Sequence, residues 1–462
     1  MGLNQLSSML PAASAPARGT PPVVAPFGGH SALVFLLQVG LLLGTAVVLG
    51  RVAVWLRLPA IVGELAAGII LGPSVLSAVL PRLGGWLLPQ RPAQMNLLDA
   101  AAQLGVLLLV ALTGMQLDLR LLRRRRGTAL AVALAALLVP LAAGLVCGRL
   151  APVALRGNVR PTVFAAFLAV AVAASAVPVI AKTLGDLRLL HRNVGQLILA
   201  AGALDDMVAW LLLSLVAAFA ATGMHAGTML PAVGKLLAVL LVFVLAGPPL
   251  ARRVLGAAGR GAGGAQGRLA AAVVLVVLSA ALTSALGLES VLGAFLCGIV
   301  LGVCGGPRDW VEPLRTMVGG VLAPLYFATA GLRVQLSALG RPEVALWALI
   351  ITAVAVLSKF GGAWTGARLG KVGRWEALAI GAGLNARGVV EIVIASTGVS
   401  LGILNTASYT IIVLVAVLTS VMAPPILRTA MRRVEDTAQE RLRQQAWDEA
   451  GSPASESAAA PG

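Results

Sequence analysis

Apolar runs of roughly twenty residues recur along almost the whole chain, separated by short polar or charged connections. About twenty apolar residues in a helix cross a ~30 Å hydrocarbon layer. By that rule the pattern predicts thirteen spans, over residues 32–50, 59–80, 97–117, 128–149, 161–181, 193–221, 230–251, 268–286, 290–304, 313–331, 342–367, 375–400 and 405–430. The ninth is short. Few aromatics and no alternating ten-residue segments argue against a β-barrel. The expected fold class is an all-α polytopic membrane protein of about thirteen transmembrane helices.

Composition agrees: 59% of the residues are hydrophobic and 11% charged, against about 25% charged in a soluble domain. The net charge of +17 would suggest nucleic acid as partner in a soluble protein. Here the basic residues sort by connection instead. Of 35 Lys and Arg, 24 lie in the odd-numbered connections and the C-terminal tail, nine lie on the other side, and Lys359 and Arg387 lie inside spans. The positive-inside rule then places the N-terminus outside and the C-terminus in the cytoplasm, which an odd number of spans requires. The expected location is a bacterial plasma (inner) membrane.

The three cysteines, Cys147, Cys297 and Cys304, suit neither a disulfide framework nor zinc. The three histidines form no ligand cluster, and no cofactor is expected. Residues 1–31 lack a basic segment and are read as a flexible tail rather than a cleaved signal. Residues 432–450 suggest a short cytoplasmic helix and 451–462 a disordered tail. No large regulatory domain is expected. The Gly-rich link after span seven lacks the Lys-Ser/Thr of a phosphate loop.

Two segments resemble each other: "IVGELAAGIILG" (61–72) in span two and "VLGAFLCGIVLG" (291–302) in span nine. A weaker pair is "TGMQLDL" (113–119) and "AGLRVQL" (330–336), at the ends of spans three and ten. Both pairs are seven spans apart. An odd offset means opposite directions through the membrane, an inverted-topology repeat of the kind secondary transporters use. Simple close packing of small residues is the alternative. The offset pairs span five with twelve. Span five carries "AASAVPVIA" (173–181), where Pro178 cannot bond the carbonyl of Ala174. Span twelve carries "GAGLNARG" (381–388), with Asn385 among three glycines. Interrupted helices at that depth must be buried in protein or line a wet cavity.

The ionisable residues read as lying at membrane depth are Glu64, Asp99, Asp205, Asp206, Lys359, Arg387 and Glu391. Such groups are costly in lipid and functional by default. Asp205 lies about 18 Å into span six at 1.5 Å per residue, near mid-membrane. Lys359, in a chain that otherwise prefers Arg, can release a proton when buried; alternatively it only neutralises an aspartate. Arg387 and Glu391, four apart, either pair with each other or brace the broken segment. Glu64 reads as structural, and Asp99 as serving the start of its helix. Asp206, Asp205, the Ser175 hydroxyl and carbonyls around Val177 offer the oxygen ligands a monovalent cation such as Na+ or K+ needs. The same carboxylates bind protons. The two cannot share one carboxylate, and that competition couples their movement.

Five segments resemble the monovalent cation:proton antiporter-2 family, the sodium/hydrogen exchanger-like proteins. They are "LPAIVGELAAGIILGPSVL" (58–76), "SAVPVIAKTLGDLRLL" (175–190), "ALDDMVAW" (203–210), "LESVLGAFLCGIVLG" (288–302) and "LNARGVVEIVIA" (384–395). The resemblance implies a homodimer. It assigns residues 32–120 and 268–337 to a dimerisation domain. It assigns 127–222 and 342–431 to a mobile core; the repeat leaves 229–251 as a linker helix, and 432–462 reads as a cytoplasmic tail. It implies that spans five and twelve cross at their unwound centres and that the core moves as an elevator. Asp206 would be the principal cation ligand and proton carrier, with Asp205 paired to Lys359. Two aspartates imply electrogenic exchange. Ser175 stands where the family often has Thr.

The function expected is therefore exchange of Na+, or K+, for protons, not enzymatic catalysis. Potassium-specific exchange or efflux is a second reading. An intramembrane aspartyl protease is a remote third, since Asp205 and Asp206 are adjacent on one helix rather than contributed by two.

Overall fold

The structure, a computed structural model, describes residues 29–56, 58–88, 92–116, 126–222, 226–260, 264–304, 310–435, 437, 438, 440 and 441. Most of the expected N-terminal tail and the tail over 451–462 lie outside the described residues. Among the described residues there are helices and no strands. Ten helices are long and apolar enough to cross a membrane, and two bent helix pairs bring the number to twelve. The expected ninth span is the 14-residue helix Ser290–Val303, about 21 Å long at 1.5 Å per residue. It is buried on nearly all sides by protein, so it need not match the thickness of the lipid.

Span seven departs from expectation. It is a helix, Ala226–Leu245, followed after a 47° bend by Gly247–Ala258. Pro248 and Pro249 have no amides to continue the ladder, but they suit the first turn of a new helix. Span two likewise stops at Leu71, before Gly72 and Pro73, and a short turn Leu76–Val79 follows.

The helices pack as two groups. Spans one (Gly29–Trp55), two, three (Pro92–Met115), eight (Gly264–Ala285), nine and ten (Val311–Leu332) form one. Spans four (Arg126–Leu150), five, six (Asn193–Thr222), eleven (Pro342–Leu369), twelve and thirteen (Thr406–Met431) form the other. Span seven runs beside spans six and nine.

Packing of the first group displays the repeat atom by atom. A Cβ on Gly63 of span two would sit 2.0 Å from the Leu49 carbonyl oxygen of span one, and one on Gly293 of span nine 2.2 Å from that of Ser279 in span eight. A Cβ on Gly68 would meet the Ala328 oxygen at 1.9 Å, and one on Gly298 the Ala111 oxygen at 2.1 Å. Each contact in the first half thus has a counterpart in the second at the same register. Span two packs on ten, and nine on three, so the two repeats interlock. Small residues at these positions let backbones touch, and such close packing is one of the contributions that associate helices in lipid.

Beyond span thirteen the chain folds back on the second group. Arg192 Nη2 donates to the carbonyls of Val434 at 3.0 Å and Glu435 at 3.1 Å. Glu440, 3% exposed, accepts the Asn193 amide at 2.6 Å and the Thr437 amide at 2.8 Å. The Arg433 guanidinium lies 4.1 Å from the centre of the Trp375 ring. The clasp ties the starts of spans six and twelve to the end of thirteen, and it places a carboxylate at the positive end of span six.

Two predictions follow from this packing. Gly298→Val should lower thermal stability in detergent by roughly 1–3 kcal/mol or more, the range for overpacking; an unchanged melting curve would refute the close contact. Burial alone raises the Glu440 carboxyl, but hydrogen bonds from Thr437 and Asn193, with the Arg192 charge, outweigh it and hold it below its ordinary 4.5. Such an acid stabilises the fold above its unfolded pKa and loses that contribution as pH falls through the folded value. Glu440→Gln should therefore lower the melting temperature at pH 7, and its difference from the parent should shrink as pH falls below 4.5.

Candidate functional site

Both expected interruptions are present. In span five the helix Pro161–Ala173 ends, residues 174–176 are non-helical, with Ala174 and Ala176 extended, and Val177–Asp186 begins a second half. The break lies just upstream of Pro178, which occupies the first turn of the second half. Proline fits that turn and pushes the residue before it away from helical geometry. Pro178 has no amide for the Ala174 carbonyl, and no other donor among the described residues takes it. Carbonyls outside the ladder are thus found just before Val177, which is itself the first residue of the new helix.

In span twelve Arg374–Leu384 ends, residues 385–388 are non-helical, and Val389–Ser400 follows after a 41° bend. The breaks touch each other. The Ala176 amide donates to the Ala386 carbonyl at 3.3 Å, and the Ser175 hydroxyl to the Leu384 carbonyl at 2.9 Å. Gly388 permits the approach: a Cβ there would lie 2.7 Å from Val179 Cγ2. Span six passes alongside, with Gly202, one turn before Asp206, backed onto Ile180, Leu384 and Val177.

The first half of span five ends in carbonyls that no intrahelical amide can reach. Two cations take them. Lys359 Nζ donates to the Ala173 carbonyl at 2.5 Å and to Asp205 Oδ2 at 2.6 Å. Arg387 donates to the carbonyls of Ala171 at 3.0 Å, Val172 at 2.5 Å and Ala355 at 3.3 Å. Both charges thus sit at the negative end of a helix dipole. Glu391 sits at the opposite kind of end: its Oε2 accepts the Gly388 amide at 2.8 Å, in the first turn of the second half of span twelve. Arg387 and Glu391 approach only to 3.9 Å. Of the two alternatives, the bracing contacts are therefore the shorter. Ser420 of span thirteen, which sequence reading missed, donates to the Arg387 carbonyl.

Asp205, Asp206, Lys359, Arg387 and Glu391 are each at most 1% exposed. Three acids face two bases, so the fully ionised cluster carries one surplus negative charge. Hydrogen bonding locates the surplus. Asp205 is held by Lys359 and Glu391 by Gly388, whereas neither oxygen of Asp206 has a partner among the described residues. Asp205, Glu391 and Lys359 act on it electrostatically. The Asn385 amide group, at the break, is also buried without a partner. A buried carboxylate in that position requires a proton or a cation.

Glu64 and Asp99 lie apart from this cluster. Glu64 packs on Gly50 of span one. Asp99 does not serve its helix start, contrary to expectation. The helix begins at Pro92, two turns earlier, and Asp99 pairs with Arg333 of span ten at 2.5 Å.

Two cavities flank the site, both between the helix groups. The first, about 590 Å³, is lined by Asp99, Glu289, Val291, Arg333 and Ser396, among others. The second, about 400 Å³, is lined by Pro59, Lys182, Asp186 and Arg428, among others. The second half of span twelve walls the first cavity, and the second half of span five walls the second. None of the five buried charges lines either cavity.

The sequence profile described as "Sodium/hydrogen exchanger, transmembrane" matches residues 40–433. The chain belongs to the sodium/hydrogen exchanger family. It is similar to Cation/H(+) antiporter 18 of Arabidopsis thaliana, 29% identical over 87% of this chain and 50% of that protein. It is also similar to the Na(+)/H(+) antiporter NhaS4 of Synechocystis, 27% identical over 86% and 97%, and to the Na(+)/H(+)-K(+) antiporter GerN of Bacillus cereus, 28% over 85% and 95%. The chain spans about half the length of the plant relatives it matches. Its fold is that of the sodium proton antiporter MjNhaP1 from Methanocaldococcus jannaschii, with a TM-score of 0.59 at 15% identity over 87% of this chain and 97% of that one.

Within this exchanger-family fold, Lys359 satisfies a carboxylate and a helix end at once. Lys359→Ala should cost roughly 3–5 kcal/mol, the range for breaking a buried pair from one side. Removing Asp205 as well should restore part of that loss. Thermal melts of the single and double variants check this; a silent single variant would refute it.

Proposed function

We propose that the chain is a secondary antiporter that exchanges a monovalent cation for protons. The observation that carries this reading is the single surplus carboxylate, Asp206, buried without a partner where two broken helices cross. A cation and a proton can each neutralise it, and neither can do so while the other is bound. Asp205, the Ser175 hydroxyl, which keeps its lone pairs while donating, and the carbonyls of the span five break supply further oxygen ligands. The relatives support the reading, since they are antiporters of cations and protons by name.

Transport then needs Asp206 to face each side in turn. The group of spans four to six and eleven to thirteen carries the site and moves as an elevator against the other group, through which two copies form a homodimer. By the distribution of basic residues, the first cavity is the outer one and the second the cytoplasmic one. Electrogenic exchange requires a second group to release a proton when the cation binds. Lys359, freed as Asp205 turns to the cation, is that group.

Na+ is the favoured ion. K+ remains the second reading, supported by the name of GerN. An aspartyl protease finds no support: Asp205 is committed to Lys359, and Asp186, in the sequence's one Gly-Asp dipeptide, lines the second cavity.

Proteoliposomes test the function. Na+, K+ or Li+ added to acid-loaded vesicles should dissipate the pH gradient in the parent, and a voltage clamp should alter the rate. Asp206→Asn should abolish this while melting like the parent. Full exchange by that variant would remove Asp206 from the site.

A further inference from the structure

Residues four and eight positions after Asp206 on span six are Trp210 and Ser214, which share its helical face. Both are buried, and neither Trp210 Nε1 nor Ser214 Oγ has a hydrogen-bond partner among the described residues. Together with Asp206 they form a stripe of unsatisfied polar atoms leading away from the crossed breaks. An unpaired buried donor costs free energy that an apolar side chain would not. The stripe therefore calls for a use in another arrangement of the helices.

The Trp210 ring lies against Phe295 of span nine, with centroids 6.1 Å apart and planes at 42°. This contact bridges the two helix groups. Phe295 is fully buried. One turn from it on the same helix, Val291 lines the first cavity. Asp206 is one turn from Trp210, and a turn is about 5.4 Å along the axis. Along the helix axes the aromatic pair thus lies at a depth between the surplus carboxylate and the first cavity, which neither ring lines.

We propose that Trp210 and Phe295 form the gate that closes Asp206 off from the first cavity. The proposal rests on the antiporter reading above. While the rings are in contact, the layer is apolar and excludes water. When the helix groups shift, the pair separates. Trp210 Nε1 and Ser214 then donate to the water that fills the path and hydrates the arriving cation. Phenylalanine at position 210 would close the path equally well but would leave that water less well held.

The test reads access to position 206 directly. Asp206→Cys is introduced into the full chain, whose own cysteines are buried, and the chain without it sets the background. A membrane-impermeant thiol reagent is applied to intact cells and, separately, to everted vesicles. Adding Trp210→Ala or Phe295→Leu should speed labelling in intact cells roughly two- to tenfold, as expected for losing one aromatic contact, with no change in everted vesicles. Adding Trp210→Phe should leave labelling slow, and in the Asp206 parent it should reduce the exchange rate. Melting curves show that each variant is folded. Unchanged labelling in intact cells, or an equal rise from both sides, overturns the gate. Because Asp206→Asn is assayed for exchange separately, failure of the gate and failure of the antiporter reading give different results.

Discussion

The carbonyls at the end of the first half of span five impose the constraint on which the site depends. Breaking a helix in the middle of a membrane exposes backbone oxygens that lipid cannot satisfy. This chain meets that demand with Lys359 and Arg387, whose charges then need counter-ions of their own. Asp205 and Glu391 provide them. Once these four are accounted for, Asp206 is the remaining charge, and its lack of a partner follows from the way the others are satisfied. The broken helix, the two cations and the three acids therefore form one electrostatic unit rather than a list of separate functional residues.

The rest of the fold buries that unit beside the boundary between two separately packed helix groups. The first helix group is locked by backbone-to-backbone contacts at glycines, which tolerate little adjustment. The boundary between the groups is different. It contains both cavities and a few side-chain contacts, among them the Trp210–Phe295 ring contact and the bond from Tyr409 to the Ala330 carbonyl at 2.8 Å. Tight packing within groups and looser packing between them is the arrangement in which one body can move against another. The clasp of Glu440 and Arg192 lies wholly within the second group, so it stiffens that group without tying it to the first.

Much of this was legible in the sequence because lipid imposes simple rules. Span lengths follow from hydrocarbon thickness. The repeat showed in glycine spacing because only small residues allow backbones to touch. The two breaks showed as Pro178 and the Gly-Asn segment around Asn385, because each disrupts a helical ladder. Asp205, Asp206 and Lys359 stood out because charge is rare at membrane depth. Asp99 misled: its place near the start of a span suggested a capping role, but the helix begins at Pro92 and the partner is Arg333, distant in sequence.

By itself, then, the sequence determined the membrane class, the repeat, the interrupted spans and the identity of the buried charges, each a matter of local composition or spacing. Only the tertiary structure decided which charge is left over. Whether Arg387 spends its donors on Glu391 or on the carbonyls of Ala171 and Val172 depends on where a helix more than two hundred residues earlier ends. The same holds for the Ser420 contact and for the Trp210–Phe295 layer. Partnership between groups far apart in the chain is set by packing geometry, and no single segment encodes it.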